Sequence, residues 1–426
     1  MIGNEGVSPT GSVAPNQKLL FLTQRIPYPP IKGEKIRSLQ ILKHLAKSYD
    51  IYLGCLVDDP HDWEHVDIIK ALCRDSYFGA LDRRWDKLYH LVALATGNAL
   101  SVSLYHHHGL AGWVSRILET VTPDVIFISS SNMAPYVLDH PHRVGKTIVD
   151  LVDVDSEKWR AYAGKGGLIT RWIYGREAQK IFNLERRIAY EADFSMFVSE
   201  AEAKLFRTLV PQRSGAIVSI NNGIDHSYFD PNIKFAAPYD SSLPTFVFTG
   251  TMDYLPNVDA VRWFAEEIFP MVRKTLPGAQ FFIVGASPSV SVQKLGRLAG
   301  VHVTGRVPDV RPYLAFATAG VAPMRIARGI QNKVMEAMSM AKPVIVTSDA
   351  LEGIEAAEGT ELVLANDAQT FAAAVCRLAV EPAIAQKIGA AARRRVVEDY
   401  SWERQLAGFD SLLLRQPMYT NREARS

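Results

Sequence analysis

Cysteine is scarce in this chain, with Cys55, Cys73 and Cys376 far apart, odd in number and never in a CxxC spacing. That excludes a disulfide framework and a thiolate metal cluster, and it fits a reducing cytoplasm. Long apolar runs are missing too. No stretch reaches the roughly 18 residues of a spanning helix, and residues 1–16 are polar, without the apolar core of a signal segment. Excess charge of either sign is also lacking. The net charge is +2, from 47 basic and 45 acidic residues, which gives no ground for a nucleic-acid partner.

What remains is the composition of a globular enzyme, 48% hydrophobic and 22% charged. At 426 residues it is long enough for two or three domains. Short β-branched runs alternate with helical stretches twice along the chain. In the first half these are 18–23, 51–57, 124–129, 147–152, 194–198 and 217–220; in the second, 244–250, 279–285, 301–305, 319–322 and 343–347. This is the pattern of parallel sheets covered on both faces. It predicts an α/β chain of two doubly wound, Rossmann-like domains facing a central cleft. The expected boundaries are a disordered lead-in over 1–16, a first domain over 17–221 and a linker over 222–243 at the turn-rich Asn222-Gly223-Ile224-Asp225. A second domain over 244–395, a closing helix over 396–416 and a tail over 417–426 follow. Ligands of such sheets sit beyond the carboxyl ends of the strands.

The most informative stretch is GIQNKVMEAMSMAKPVIV, 329–346. A polar loop enters a short helix, and a helix start offers unpaired N–H groups and a positive dipole end to a phosphate. Lys333 and Glu336, three apart, share a helix face. A cation and a carboxylate there can hold a diphosphate and a pair of sugar hydroxyls. An ordinary surface ion pair is the alternative. Three other features have a plain and a functional reading. Asp153-Val154-Asp155 has the form of a metal signature, but three residues match by chance, and we expect no metal. Asp153 reads better as a polar, acceptor-side group. His106-His107-His108 reads as a solvated loop, because adjacent histidines diverge. Ser129-Ser130-Ser131-Asn132 ends a strand and suits acceptor binding or helix capping.

The ordered set FTG (248–250), PN (256–257), IVG (283–285), VTG (303–305), AP (322–323), KVMEAM (333–338) and PVIVT (343–347) resembles the donor domain of family-four glycosyltransferases, retaining enzymes of the GT-B fold. NGID (222–225) and YSWE (400–403) resemble their linker and closing helix. QRIPYPPIKGEKIRS (24–38), DLVDVDSEKW (150–159) and GIQNKVMEAM (329–338) are similar to bacterial sugar transferases of exosortase and exopolysaccharide loci.

The resemblance implies metal-free transfer of a sugar, with retention, from a nucleotide-sugar substrate to a glycan or lipid-linked acceptor, with no further cofactor. It implies that Glu336 grips the donor ribose and that Ile330, Gln331 and Asn332 turn their N–H groups to the diphosphate. Gly250, Gly285, Arg306 and Val307 would line the nucleotide, Gly33 the acceptor and phosphate, and Ser130, Asn132 and Asp153 the acceptor. Asp153 and Lys333 are the catalytic candidates. Two departures stand out. Arg328 replaces the first glutamate of the family's pair, and Met252–Asn257 contains no cation where the family has an Arg-x-x-x-x-Lys clamp. Lys333, Arg325 and Arg328 are the candidates to meet the diphosphate charge instead. A nucleotide-sugar 2-epimerase and a non-catalytic binding subunit are the rival readings. Leu88–Tyr105 reads as a core or acceptor-lining element or as a membrane-surface helix; a cytoplasmic protein touching the inner membrane face reversibly is expected, through that segment and the preceding Arg83, Arg84 and Lys87.

Overall fold

The structure, a computed structural model, describes residues 17–30, 33–81, 99–164, 167–327 and 330–414. They form two α/β units. One is made of the chain up to Asn221 together with the residues from Phe409 onward, and the other is Asn222–Gly408.

The first unit is built on seven strands: β1 (Gln17–Thr23), β2 (Tyr49–Val57), β3 (Asp75–Ala80), β4 (Val125–Ser129), β5 (Lys146–Val152), β6 (Phe194–Phe197) and β7 (Ile217–Ser219). Their order is β3-β2-β1-β4-β5-β6-β7, all parallel. The central strands are apolar on both faces because helices cover both, and Leu19, Leu20, Phe21, Phe127 and Ile128 are fully buried. β3 lacks that signature. Its sequence, DSYFGA, is mostly half-buried, since an edge strand has a neighbour on one side only. The helix Gly33–Leu45 buries Leu39, Leu42 and Leu45, but also two cations. Arg37 is 1% exposed and Asp150 0%. They pair at 2.6 and 3.1 Å, and Arg37 also donates to the Ile220 carbonyl at 2.8 Å. Lys35 meets the buried Asp62 at 2.5 Å. From Phe409 the chain returns to this unit. The Phe409 ring stands edge-on to Phe127 at 5.5 Å, and Lys146 Nζ donates to the Leu412 and Leu413 carbonyls.

The second unit has six parallel strands: β8 (Thr245–Thr249), β9 (Gln280–Val284), β10 (Val301–Gly305), β11 (Ala319–Ala322), β12 (Val344–Val346) and β13 (Val363–Leu364). They are ordered β10-β9-β8-β11-β12-β13. Residues 222–243, read as linker, pack on this unit. Ile224 bridges to Ser401, Phe229 is buried, and Tyr239 stacks on Phe282 at 4.5 Å. A Cβ on Gly223 would lie 2.6 Å from the Trp402 backbone, so the NGID turn requires glycine through close approach. The helical end of the chain is two helices, Pro382–Asp399 and Trp402–Leu414, interrupted where Ile224 N–H donates to the Tyr400 carbonyl. None of the helices among the described residues is long and apolar enough to cross a membrane.

Candidate functional site

In the second unit the carboxyl ends of β8, β9 and β10 are joined by their main chains. Gly250 N–H donates to the Val284 carbonyl at 3.0 Å, Gly285 N–H to Gly305 at 3.2 Å, and Met252 N–H to Ala286 at 2.8 Å. A Cβ on Gly285 would fall 1.7 Å from the Gly250 oxygen, and both glycines have φ near +150°. No side chain fits there, so these two positions shape the floor of the site. Val307 is half-buried and Arg306 exposed on the loop after β10.

β11 neighbours β8, and the chain leaving it enters the helix Asn332–Ser339. Gln331 caps that helix without a side-chain bond, so the N–H groups of Asn332 and Lys333 have no acceptor within the helix. Arg328 lies outside the described residues. Lys333 and Glu336 are both half-buried, and no direct ion pair within 4.0 Å joins them. The Lys333 ammonium sits 3.2 Å from Gln331 Oε1 and 5.3 Å from the centre of the Phe248 ring. Burial pushes it down to about 8, and Glu336 only partly offsets this. The Glu336 carboxyl is raised by burial against the pull of Lys333 and of Thr249, whose hydroxyl donates to it at 3.4 Å. A desolvated cation without its own anion, beside a desolvated carboxylate with one weak donor, suits a ligand that brings both a negative charge and hydroxyl groups.

Arg325 is held by a carboxylate of its own unit. Its guanidinium pairs with both oxygens of Asp259 at 3.0 and 2.6 Å and lies 5.2 Å from the centre of the Trp263 ring. Its charge is already met within the protein. Sequence reasoning also passed over Tyr228. The Arg311 guanidinium lies 3.7 Å above the Tyr228 ring and pairs with Asp309 at 2.7 Å. The Tyr228 phenol is raised by burial first, then by Asp309, and to a lesser degree by Glu336, which brings this aromatic group near the site. Its partners are 81 and 83 positions away in sequence, so no local motif announces it.

In the first unit the acceptor-side candidates gather at the ends of β1, β4 and β5. Gln24 Oε1 accepts from Ser130 Oγ at 3.0 Å and from Asn132 Nδ2 at 3.4 Å, while Gln24 Nε2 donates to Glu34. Asn132 Oδ1 is buried with no partner. Arg25, which the sequence did not single out, joins Glu34, Asp58 and the Tyr105 hydroxyl. Ser130 and Val152 have φ of 87° and 67°. Two non-glycine residues, one β-branched, held there at adjacent strand ends are local strain of the kind that collects at functional sites. Gly33 begins its helix with nothing within 4 Å of a would-be Cβ, so open space rather than crowding surrounds it.

The Asp153 carboxylate takes the Lys158 ammonium at 2.6 Å, and Asp155 takes the same ammonium at 3.1 Å. The position between the two carboxylates is thus occupied by a protein cation. Among the described residues no group of three or more His, Cys, Asp or Glu is arranged to hold a metal. His106 and His107 lie in a loop, as expected, and His106 and His108 are exposed. His107 caps the helix His108–Arg116 by accepting from Leu110 N–H, and the His106 ring stacks on Tyr136. Burial, and then His108, lowers both His106 and His107. The three cysteines are free thiols. Arg83, Arg84, Lys87 and residues 88–98 of Leu88–Tyr105 lie outside the described residues. The remainder includes a short helix, Leu100–Leu104, whose first N–H groups are held by Glu177.

This geometry now meets the known proteins. Residues 243–381 match glycosyl transferases group 1. The matched segment contains the three joined loops, Lys333 and Glu336. Over the longer chain the fold is that of GT-B glycosyltransferases, two Rossmann-like domains. The sucrose-phosphate synthase of Thermosynechococcus elongatus superposes with a TM-score of 0.61 at 15% identity, over 93% of this chain and 98% of that one. HepE of Anabaena, solved with UDP, gives 0.62 at 14%, over 93% and 99%. A single-residue mutant of S. aureus TarM, solved with fondaparinux, α-GlcNAc-glycerol and UDP, gives 0.61 at 11%, over 94% and 100%. No curated protein sequence matches the chain.

Proposed function

We propose that this protein transfers a sugar, with retention, from a nucleotide diphosphate donor to an acceptor hydroxyl in the assembly of a bacterial exopolysaccharide or cell-surface glycan. The observation that carries the reading is the Lys333–Glu336 pair: both half-buried, not paired with each other, and standing at a helix start in the segment that matches glycosyl transferases group 1. Glu336 would accept the two ribose hydroxyls through charge-assisted bonds. Lys333 and the N–H groups of Asn332 and Lys333 would face the diphosphate. Gly250, Gly285, Arg306 and Val307 would line the nucleotide, with Ile330 and Gln331 beside it. The complexes of HepE with UDP, and with UDP and glucose, support a donor of this class.

In the reaction the bond between the anomeric carbon and the diphosphate oxygen breaks as the acceptor oxygen bonds to that carbon from the same face. The acceptor proton leaves with the diphosphate. The protein's part is electrostatic, stabilising negative charge as it grows on the leaving group. Lys333 would meet that negative charge with its ammonium, without a metal. Gly33, Ser130, Asn132 and Asp153 are assigned to the acceptor, which we read as a glycan or a lipid-linked saccharide met at a membrane surface.

A thermal-shift series of nucleosides, nucleoside diphosphates and nucleotide sugars tests the donor assignment. A true donor at 100 times its Kd stabilises the fold by about 2.7 kcal/mol. No shift with any nucleotide overturns it. Incubation with a nucleotide sugar alone separates transfer from 2-epimerisation, because only an epimerase forms a new sugar without an acceptor. The engagement of Arg325 by Asp259, with no cation in Met252–Asn257, favours a second reading, a subunit that binds donor without turnover. Tight binding with no product across a broad acceptor series would select it.

A further inference from the structure

The sheet of the second unit has two ends, and the joined loops, Lys333 and Glu336 belong to the carboxyl one. At the amino ends of β8, β11 and β12 lies a cavity of about 340 Å³. Its floor is the chain leading into these three strands, and its wall comes from the helices Ala368–Val380 and Pro382–Asp399. That volume is at the lower end of small-ligand sites, which span roughly 300–1,000 Å³.

The lining contains one cation, Lys342, and no acid. Among the described residues the Lys342 ammonium has neither a carboxylate within 4.0 Å nor a hydrogen-bond acceptor. Burial lowers it, and no neighbouring charge opposes that. The acids that adjoin the lining in sequence are engaged: Asp240 accepts from the Ser242 N–H and hydroxyl, and Glu381 pairs with Arg377. A lysine just past a helix end commonly donates to the last carbonyls, and this one does not. Its backbone is nevertheless fixed. Lys342 N–H donates to the Ala337 carbonyl at 3.0 Å, and Ala341 before it is held at a φ of 53°. A Cβ on Gly389 would fall 2.1 Å from the Ala341 oxygen, so the turn is packed from behind. β11 and β12 are in register at Gly320 and Val344, which sets Thr318 and Lys342 side by side, about 5 Å apart. The Thr318 hydroxyl accepts from Thr245 N–H at 3.0 Å, leaving its own proton to donate. Ser241 adds a second hydroxyl at the exposed rim.

We propose that this cavity binds a small organic phosphate monoester, at a site separate from that of the donor. An ammonium and two hydroxyls stand together with no carboxylate to compete, and a monoester phosphate brings three strong acceptor oxygens. Leu243, Phe316 and Leu378 supply apolar wall beside them, so the organic body of the ligand is held as well as its charge. Bare phosphate would forgo that second contribution, and a carboxylate has one acceptor oxygen fewer.

Acetylation of the full chain, followed lysine by lysine by mass spectrometry with phenyl phosphate as the probe, tests it. Phenyl phosphate should slow the modification of Lys342 severalfold in chain already saturated with UDP, and inorganic phosphate or benzoate at the same concentration should protect it less. UDP alone should protect Lys333 and leave Lys342 reactive. By calorimetry, Lys342→Met should weaken phenyl phosphate at least about tenfold, the loss expected of one charge-assisted hydrogen bond. Ala379→Phe, which fills the cavity and keeps the lysine, should abolish binding; if that variant fails to fold, Lys342→Met decides alone. UDP affinity should match the wild type in both. Unchanged reactivity of Lys342 with phenyl phosphate, or wild-type affinity in Lys342→Met, overturns the site. Protection of Lys342 by UDP alone also overturns it, by making the lysine part of the donor site. Equal protection by benzoate or by inorganic phosphate overturns the ligand class. Failure of UDP to protect Lys333 strikes the donor assignment instead, and protection of Lys342 by phenyl phosphate would still establish this second site.

Discussion

The candidate sites of the two units hold their charges differently. In the first, the cations near the strand ends have carboxylates of their own: Arg37 has Asp150, Lys35 has Asp62, Arg25 has Glu34 and Asp58, and the exposed Lys158 has Asp153 and Asp155. In the second, Lys333 and Glu336 lie one helical turn apart without closing on each other. A closed pair within a fold is framework, since removing one partner leaves the other stranded. An open pair is unfinished, and a ligand can complete it. Arg325, in the same unit as Lys333, shows that sequence position alone does not tell the two kinds apart, because its pair with Asp259 is closed.

The largest effect should follow from breaking a closed pair. Arg37→Ala should destabilise the fold by about 3–5 kcal/mol by stranding Asp150, seen as a lower urea midpoint, with nucleotide affinity intact in whatever remains folded. If stability holds, burial alone does not make a pair structural. Removing one half of the open pair should do the reverse. Glu336→Ala should weaken donor binding by about 1.5–3 kcal/mol, roughly ten- to 150-fold by titration, while the thermal midpoint stays within a degree or two. Unaltered affinity would remove Glu336 from the site.

Proton linkage sharpens the same contrast. The Lys333 pKa is about 8 in the free protein, so raising the pH through that value neutralises the cation a diphosphate needs. Nucleoside diphosphate affinity should fall about tenfold from pH 7 to 9, with proton uptake on binding near pH 8 in calorimetry. In Lys333→Ala the affinity should be lower throughout and the pH dependence lost, while free nucleoside binding changes little. Equal losses for both ligands would assign Lys333 to helix packing. The smallest effect belongs to the exposed closed pair: Arg325→Ala should alter stability by no more than about 1 kcal/mol and diphosphate affinity by less than threefold. A larger loss of affinity would show that Arg325 leaves Asp259 when the ligand arrives.

Much of the sheet architecture can be read in the sequence because strands covered on both faces must be apolar throughout, as in KLLFLT and DVIFIS. The outermost strands escape that logic. β3 mixes polar and apolar residues and is mostly half-buried, and β13 is two residues long, too short for any periodicity. Lys333 and Glu336 can be found because both functions lie on one helix three residues apart. The Arg37–Asp150 pair spans 113 positions, and Arg325–Asp259 spans 66. Nothing near either arginine in sequence distinguishes one destined for a carboxylate in a distant strand or helix from one left in solvent.

The return of the chain to the first unit at Phe409 has a consequence during synthesis. The residues up to Asn221 leave the ribosome first, but the segment that covers Phe127 and takes the Lys146 ammonium arrives about 190 residues later. At some 5–20 residues per second the nascent first unit waits roughly 10–40 s without its last helix. Throughout that interval an aromatic face and a lysine hydrogen-bond donor stand uncovered, the kind of transient surface that makes a nascent unit prone to aggregation.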